Sequence, residues 1–222
     1  MNYSIAIDGP AGAGKSTIAK AIAKEMGFLY VDTGAMYRAI ALYFLRKGVD
    51  ASDTEYIAKE CSGLRVRLDY DEEGRQQVLL NDENVTPYIR TEEVGKMASR
   101  TAAIPAVRAA LLDLQRDMAA TSNVLMDGRD IGTNVLPNAS LKIYLTASSL
   151  VRARRRYEEL KEKGVSCELA QIERDIVDRD RQDMSREIAP LRQAEDAVLV
   201  DSSDMSIEEV VSTVIAEFNK IL

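Results

Sequence analysis

The chain of 222 residues contains no histidine and only two cysteines, Cys61 and Cys167. Without histidine there is no Ser-His triad, no histidine general base and no histidine ligand of the kind most catalytic zinc sites use. The two cysteines lack metal-like spacing and are expected to be free thiols in a reducing cytoplasm. Several classes of hydrolase and metalloenzyme are therefore excluded before any motif is considered.

Apolar runs long enough to cross a membrane are also missing. A strand pattern begins at Ser4, which leaves no room for a signal peptide, so a cytoplasmic protein is expected. The net charge of −7 argues against broad binding to nucleic acid or to membrane surfaces. If the substrates are nucleotides, the positive charge that binds them must be concentrated locally.

The most informative segment is a glycine-rich turn that follows the apolar residues 4–8. The spacing of Gly9, Gly14, Lys15 and Ser16 satisfies the P-loop pattern. Backbone N–H groups of such a turn cradle phosphates, the lysine reaches the β- and γ-phosphates, and the serine hydroxyl ligates Mg²⁺. The residues expected to bind ATP are Gly9, Pro10, Ala11, Gly12, Ala13, Gly14, Lys15, Ser16 and Thr17.

Strand and helix patterns alternate along the rest of the chain. Five short apolar runs predict strands at 4–8, 28–31, 124–126, 141–145 and 197–200. Helical patterns separate them, and the P-loop comes first, which predicts a single α/β domain over 1–222. We expect a three-layer fold of the P-loop NTPase type, with a five-stranded parallel sheet and helices on both faces. Residues 62–90 break the alternation and predict a small antiparallel β insert, which we interpret as a flap over a bound substrate.

Three charged features need a separate interpretation. Asp127 closes an apolar strand and stands where a Walker B residue that organises Mg²⁺ is expected. Arg38, predicted in the first turn of a helix over 35–47, indicates either an anionic partner or a solvated surface arginine. The helix over 169–185 alternates arginines and acids, which usually marks an exposed face paired by salt bridges. The alternative is a mobile lid at about 150–186 that brings arginines onto phosphates and orders when nucleotides bind.

Three segments, at residues 32–38, 127–133 and 179–191, closely resemble bacterial cytidylate kinases, a family of P-loop nucleoside monophosphate kinases. The likeness covers essentially the whole chain, and the β insert looks like that family's extra nucleotide-binding segment. The resemblance implies contacts to the acceptor phosphate from Thr33, Tyr37, Arg38, Arg129 and Arg186. It implies cytosine contacts from Ser99, Arg108 and Asp130, and ribose contacts from Arg179 and Asp183. Taken alone, Ser99 reads as a helix-surface serine, and Asp130 as a partner of Arg129 or a cap of the next turn.

The expected reaction is transfer of a phosphoryl group from ATP, with Mg²⁺, to CMP or dCMP. The acceptor is a phosphate whose second pKa is about 6, so it is mostly a dianion at neutral pH and needs no histidine base. Charge cancellation is what the reaction requires, and the candidate catalytic residues are Lys15, Arg38, Arg129 and Arg186, with Arg179 or Arg181 as further candidates. The alternatives are a P-loop kinase for UMP, AMP or shikimate, and a nucleotide-dependent switch. A monomer without nucleic-acid or membrane partners is expected.

Overall fold

The structure is a computed structural model that describes residues 2–222. The strands are β1 (Ser4–Asp8), β2 (Leu29–Asp32), β3 (Val66–Tyr70), β4 (Gln76–Leu80), β5 (Glu83–Asn84), β6 (Val124–Gly128), β7 (Leu141–Thr146) and β8 (Val198–Asp201). The helices are α1 (Lys15–Met26), α2 (Thr33–Arg46), α3 (Thr54–Cys61), α4 (Glu92–Thr101), α5 (Pro105–Thr121), α6 (Ser149–Glu162), α7 (Leu169–Met184) and α8 (Ile207–Asn219). A π-helical turn covers Ile131–Val135.

Two compact units are distinguished along the chain. The first comprises the residues up to Tyr30 together with Asn123–Leu222, and the second comprises Val31–Ser122. The first unit contains the P-loop and most of a five-stranded sheet, and the second contains a three-stranded sheet and four helices.

The five predicted strands form one sheet, as expected, and their order is β2-β6-β1-β7-β8. β1 pairs in parallel with β6 and β7, and β7 pairs in parallel with β8. β1 and β6 are almost continuously apolar because a strand that is covered on both faces has no side exposed to solvent. Ile7 is paired in register with Asp127, and Asp8 with Gly128, so the P-loop and the β6 acid leave the sheet side by side.

The core of the first unit lies between this sheet and two helices. Ile18 and Ile22 of α1 and Val214 and Phe218 of α8 pack in one buried cluster with apolar residues of β1, β6 and β7. Gly27 ends α1 with φ 66°, and Ser206 begins α8 through a capping box with Glu209. The packing fixes the position of the first turn of α1, where the P-loop lysine lies.

The β insert is confirmed as a separate antiparallel sheet in the order β3-β4-β5. Val66 is paired with Leu80 and Tyr70 with Gln76 across the first hairpin. In the described residues 2–222, none of the helices is long and apolar enough to span a membrane.

The predicted start of the second helix is wrong by two residues. α2 begins at Thr33 because the Asp32 side chain caps it, accepting a hydrogen bond from the Ala35 backbone N–H at 2.9 Å. Tyr37 and Arg38 therefore lie in the second turn of the helix and not in its first. Arg38 therefore lies outside the first turn, to which the helix dipole effect is confined, and its position does not require an anion nearby.

Candidate active site

The P-loop backbone excludes any side chain at Gly9 and favours glycine at Gly14. Gly9 has φ 153°, and a Cβ placed there would overlap the carbonyl oxygen of Leu145 on β7. Gly14 has φ 81° and stands at the N-cap of α1, where it has no side chain to satisfy the helix N–H groups. The first turn of α1 contains no acidic residue either. Its N–H groups and positive dipole are therefore available to an anion, which fits the phosphates of a nucleotide.

Lys15 is a buried cation at the start of this helix. Its Nζ donates a hydrogen bond to the Pro10 carbonyl oxygen at 2.7 Å, and the residue is 6% exposed. Burial, followed by the charge of Arg129, lowers the pKa of Lys15 well below its usual value. A polyanion beside the ammonium group offsets both effects, because it favours the charged form. The position is thus suited to a phosphate and unfavourable without one.

A hydroxyl and a carboxylate meet beside Lys15 at the expected metal position. Ser16 Oγ donates to one oxygen of Asp127 at 2.8 Å, and Tyr30 Oη donates to the other at 2.9 Å. Hard oxygen donors are what Mg²⁺ prefers, and one or two protein ligands suffice because waters and phosphates complete its octahedron. The donor set therefore fits Mg²⁺. Among the described residues there is no group of three or more acidic or thiol side chains that could hold a metal ion without such additional ligands. Tyr30 was not expected from the sequence.

Asp8 connects the P-loop strand to the loop after β6, a role that the sequence did not suggest. Its carboxylate accepts hydrogen bonds from the backbone N–H groups of Ile131 and Gly132, at 2.8 and 2.7 Å. Burial raises the pKa of Asp8 to about 6, although the two N–H groups oppose that rise. The sequence did contain one signal for this role: Asp8 is an acid at the end of a buried strand, and such a residue requires hydrogen-bond donors from within the protein.

Asp183 holds two of the expected phosphate-binding arginines. One carboxylate oxygen accepts from Arg129 Nε at 2.8 Å, and the other pairs with the Arg186 guanidinium at 2.5 Å. Its side chain is 2% exposed. Burial opposes ionisation, but Arg129 and Arg186 hold the pKa of Asp183 below its usual value. The resemblance implies that Asp183 contacts the ribose; the structure places its carboxylate on the two arginines.

The expectation that the charged helix α7 presents an exposed face is wrong for two of its acids. Asp178 and Arg181 are exposed and pair at 3.5 Å, as a solvated helix would have them. Asp180 and Asp183 are buried. Asp180 pairs with Arg152 of α6, and its other carboxylate oxygen accepts from the Ala11 N–H of the P-loop.

Residues of the first unit therefore form one charged cluster around the P-loop. The charges of Arg129, Arg179 and Asp127 all act on Lys15, and those of Arg129, Arg179 and Arg186 all act on Asp183. Burial opposes the charge of Arg129, but Asp183 raises its pKa above the usual value and keeps it cationic. The cluster assembles three of the four candidate catalytic residues: Lys15, Arg129 and Arg186.

In the second unit, the start of α2 is held by side chains that the sequence did not single out. The buried Asp32 carboxylate pairs with Arg90 in addition to capping the helix. The Gln76 side chain, from β4, accepts from the Asp32 backbone N–H at 2.8 Å and donates to its carbonyl oxygen at 3.3 Å. Thr33, the first residue of α2, is 2% exposed. The insert strand β4 thereby fixes the backbone that carries Thr33.

The other substrate candidates of the second unit lie on α2, α4 and α5. Arg38 donates to the carbonyl oxygens of Ile89 and Thr91 at 3.1 and 3.3 Å. The guanidinium of Arg108 lies 5.6 Å from the ring centroid of Tyr37, so the structure brings a proposed base reader and a proposed phosphate ligand together. Ser99 is buried, which contradicts its reading as a helix-surface serine.

Asp130 lies in the first unit and is also buried. One carboxylate oxygen accepts from the Asn134 side-chain amide at 3.0 Å. Its side chain makes no cap hydrogen bond to the π-helical turn that follows, so the capping interpretation is wrong.

The parallel sheet, the glycine-rich loop and the buried lysine define a P-loop nucleotide-binding protein. A family model described as cytidylate kinase matches residues 5–220. The cytidylate kinase of Pelotomaculum thermopropionicum is 51% identical over 213 residues, covering 96% of this chain and 94% of the relative. That of Exiguobacterium sp. is 50% identical over 213 residues, covering 96% and 95%. The chain belongs to the cytidylate kinase family.

The solved structures add the fold alone. An uncharacterized protein from Eubacterium ventriosum superimposes with a TM-score of 0.56 at 9% identity, covering 98% of this chain and 99% of that one.

Proposed function

We propose that the chain transfers the γ-phosphoryl group of ATP to the phosphate of CMP, and also to that of dCMP. Membership of the cytidylate kinase family supports a cytidine monophosphate as the acceptor. The observation that carries the chemistry is the buried Lys15 in one cluster with Arg129, Arg179 and Arg186. Two phosphates that must approach each other repel, and fixed cations in a water-poor site are the means to offset that repulsion.

The P-loop holds the ATP phosphates through the N–H groups of the first turn of α1. Lys15 leaves the Pro10 carbonyl and donates to the β- and γ-phosphate oxygens. Ser16 and Asp127 are the residues that would hold Mg²⁺, which supplies further neutralisation of the phosphate charge when bound. Asp127 is already oriented by Tyr30, so the carboxylate needs little rearrangement. We assign no general base, because the attacking oxygen belongs to a phosphate that is mostly dianionic at neutral pH.

Arg129 and Arg186 stabilise the transferring group and the acceptor phosphate. Asp183 fixes both guanidinium groups, so their orientation is set before substrate binds and costs little during the reaction. In the second unit, Thr33, Tyr37 and Arg38 are proposed to contact the acceptor phosphate.

The cytosine edge is proposed to be recognised by one acceptor, one donor and one hydroxyl that can act as either. A carboxylate only accepts hydrogen bonds, so Asp130 suits the N4 amino group of cytosine and opposes the O4 carbonyl of uracil. A guanidinium only donates, so Arg108 suits N3 or O2, and the Ser99 hydroxyl adapts to either. Arg179 and Asp183 are kept as ribose contacts.

We further propose that the residues 62–90 cover the bound CMP and that the segment at about 150–186 is a lid, both within a single kinase domain. A monomer in the cytoplasm is proposed as well. Cys61 and Cys167 are free thiols in the structure, which suits that reducing compartment.

One assay separates this function from its alternatives. ADP release from ATP is measured with CMP, dCMP, UMP, AMP or shikimate supplied in turn, and with no acceptor. We expect negligible release without an acceptor and the highest kcat/KM with CMP or dCMP. Faster release with another acceptor would assign a different kinase, and release that needs no acceptor would indicate a nucleotide-dependent switch.

A further inference from the structure

Both backbone groups of Ala11, at the tip of the P-loop, are bound by a buried ion pair. The Ala11 N–H donates to Asp180 Oδ1 at 3.0 Å, and the Ala11 carbonyl oxygen accepts from Arg152 Nη1 at 2.8 Å. The same Arg152 nitrogen pairs with Asp180 Oδ2 at 2.5 Å. The two side chains are only 8% and 10% exposed, so water does not compete effectively for these groups.

Arg152 also connects this pair to the sheet. Its Nε donates to the Ala147 carbonyl oxygen, just after β7, at 2.8 Å. A guanidinium with fixed, planar donors can satisfy the two carbonyl oxygens and the carboxylate at once, whereas the ammonium group of a lysine has no such geometry.

The helices that carry the pair form a small packed body. α6 and α7 enclose a core of Ala153, Ile172 and Ile176. A Cβ at Gly12 would lie 3.4 Å from Arg152 Cβ and 3.7 Å from Ile176 Cδ1, so the loop also packs directly on this body. The position of α7 along its axis is consequently tied to the P-loop.

We propose that Arg152 and Asp180 are positioning residues that hold the P-loop tip in its ATP-binding conformation and fix α7 against it. Asp183, three residues further along α7, is held separately by Arg129 and Arg186, so these contacts on the CMP side do not depend on the Arg152–Asp180 pair. The inference rests on the proposed function. The proposal also restricts how much of the lid can move. The part of α7 around Asp180 remains attached to the P-loop without ligand, and movement is confined to the residues before Asp180.

The test compares Arg152→Lys and Asp180→Asn with Arg156→Gln, a control on the same helix whose partner Glu159 makes an exposed pair. The readouts are the Kd of a fluorescent ATP analogue, the KM for ATP, the KM for CMP and kcat. We expect the Kd and KM for ATP to rise about tenfold or more in both variants, kcat to fall, the KM for CMP to change less than threefold, and the control to match wild type. Unchanged ATP affinity in folded variants, or equal changes in both KM values, would overturn the proposal.

A second measurement covers variants that fold poorly. The double variant Arg152→Met with Asp180→Asn leaves no buried unpaired charge, and circular dichroism reports whether each protein is folded. We expect the double variant to recover stability relative to Arg152→Met alone but to keep the weakened ATP affinity; recovery of ATP affinity as well would overturn the positioning role.

Hydrogen exchange of the wild-type protein without nucleotide tests the attachment directly. We expect protection of the Ala11 amide and of the second half of α7, and loss of both in Asp180→Asn. Rapid exchange at these amides in the wild type would overturn the proposed attachment of α7 to the P-loop. The analogue Kd requires no acceptor, so these experiments remain decisive if the wild-type protein binds ATP but phosphorylates something other than CMP.

Discussion

Replacement of Asp183 by asparagine removes one negative charge from a buried position between two cations. The Asn side chain has the same size but only one acceptor oxygen, so it cannot replace both the bond from Arg129 and the pair with Arg186. The Asp183→Asn variant therefore leaves the guanidinium groups of Arg129 and Arg186, whose side chains are 21% and 5% exposed, close together with one counter-charge fewer. Lys15 and Arg179 also lie nearby.

The cost is estimated from the burial of the pair. Removing one partner of a buried ion pair costs about 3–5 kcal/mol, and because asparagine keeps the volume and one hydrogen bond we expect about 3 kcal/mol. For a protein of this length that loss lowers Tm by about 6–12 °C. The pKa of Asp183 is held below its usual 3.8, so its contribution is present above that value and lost as the pH falls through the folded pKa. The stability difference from wild type is therefore expected to be full at pH 7 and to shrink below about pH 4.

Urea denaturation with and without ATP and CMP is the assay. Bound phosphates supply the missing negative charge, so we expect the nucleotides to stabilise Asp183→Asn more than the wild type. Loss of oriented arginines should lower kcat/KM by about 10²-fold. The control is Asp178→Asn, which changes an exposed acid of the same helix and should behave as wild type.

The comparison of CMP with dCMP separates the two roles of Asp183. Orientation of the arginines predicts equal fold losses for both substrates, whereas a contact to the 2′-hydroxyl predicts a larger loss for CMP. Wild-type stability together with unaltered kcat/KM in Asp183→Asn would refute the reasoning, because it would mean that the two buried arginines do not need this carboxylate.

Three further predictions concern single residues. Lys15→Ala should fold normally and lose about 10²-fold or more in kcat, and near-normal turnover would contradict the P-loop assignment. Burial raises the pKa of Asp8 from 3.8 to about 6, so its contribution to stability is complete below its unfolded pKa and is lost as the pH rises through 6. Relative to Asp8→Asn, the wild type should lose about 3 kcal/mol between pH 3 and 8 in urea titrations, and a constant difference would argue against the raised pKa. Asp130→Asn should reduce the preference for CMP over UMP in kcat/KM by about tenfold, mainly through loss of CMP activity, and equal losses would show that Asp130 does not read the base.

The parts of the structure that could be predicted are those with local signals. The P-loop is recognised from glycines and a lysine at fixed spacing. The five strands are recognised as short apolar runs, because a strand buried on both faces must be apolar along its length. The β insert was visible because residues 66–80 change from helical spacing to alternation around a Gly74 turn. The start of α2 was misplaced, although Asp32 is a residue type favoured at the N-cap and stands directly before the helix.

The buried acids could not be predicted in the same way. Asp178 and Asp180 belong to the same alternating run of charge, yet one is exposed and the other is buried. One partner of Asp180 is the backbone N–H of Ala11, 169 residues away, and a backbone N–H leaves no trace in the sequence. Periodicity identifies which face of a helix is apolar, but it does not identify a carboxylate that a distant loop requires.

A site that binds polyanions gains from buried carboxylates when each one orients a donor. Asp183 fixes two guanidinium groups, Asp180 binds the P-loop tip directly and orients Arg152 on it, and Asp8 fixes the loop that carries Asp130. Without these acids the clustered cations would repel one another and adopt several rotamers, and substrate binding would have to order them. Because the carboxylates order the cations beforehand, the field that phosphate meets is already in place, which is the condition under which electrostatic stabilisation of a transition state is most effective. The net negative charge of the chain is therefore compatible with binding two nucleotides, since the arrangement of charge within the cluster matters more than its total.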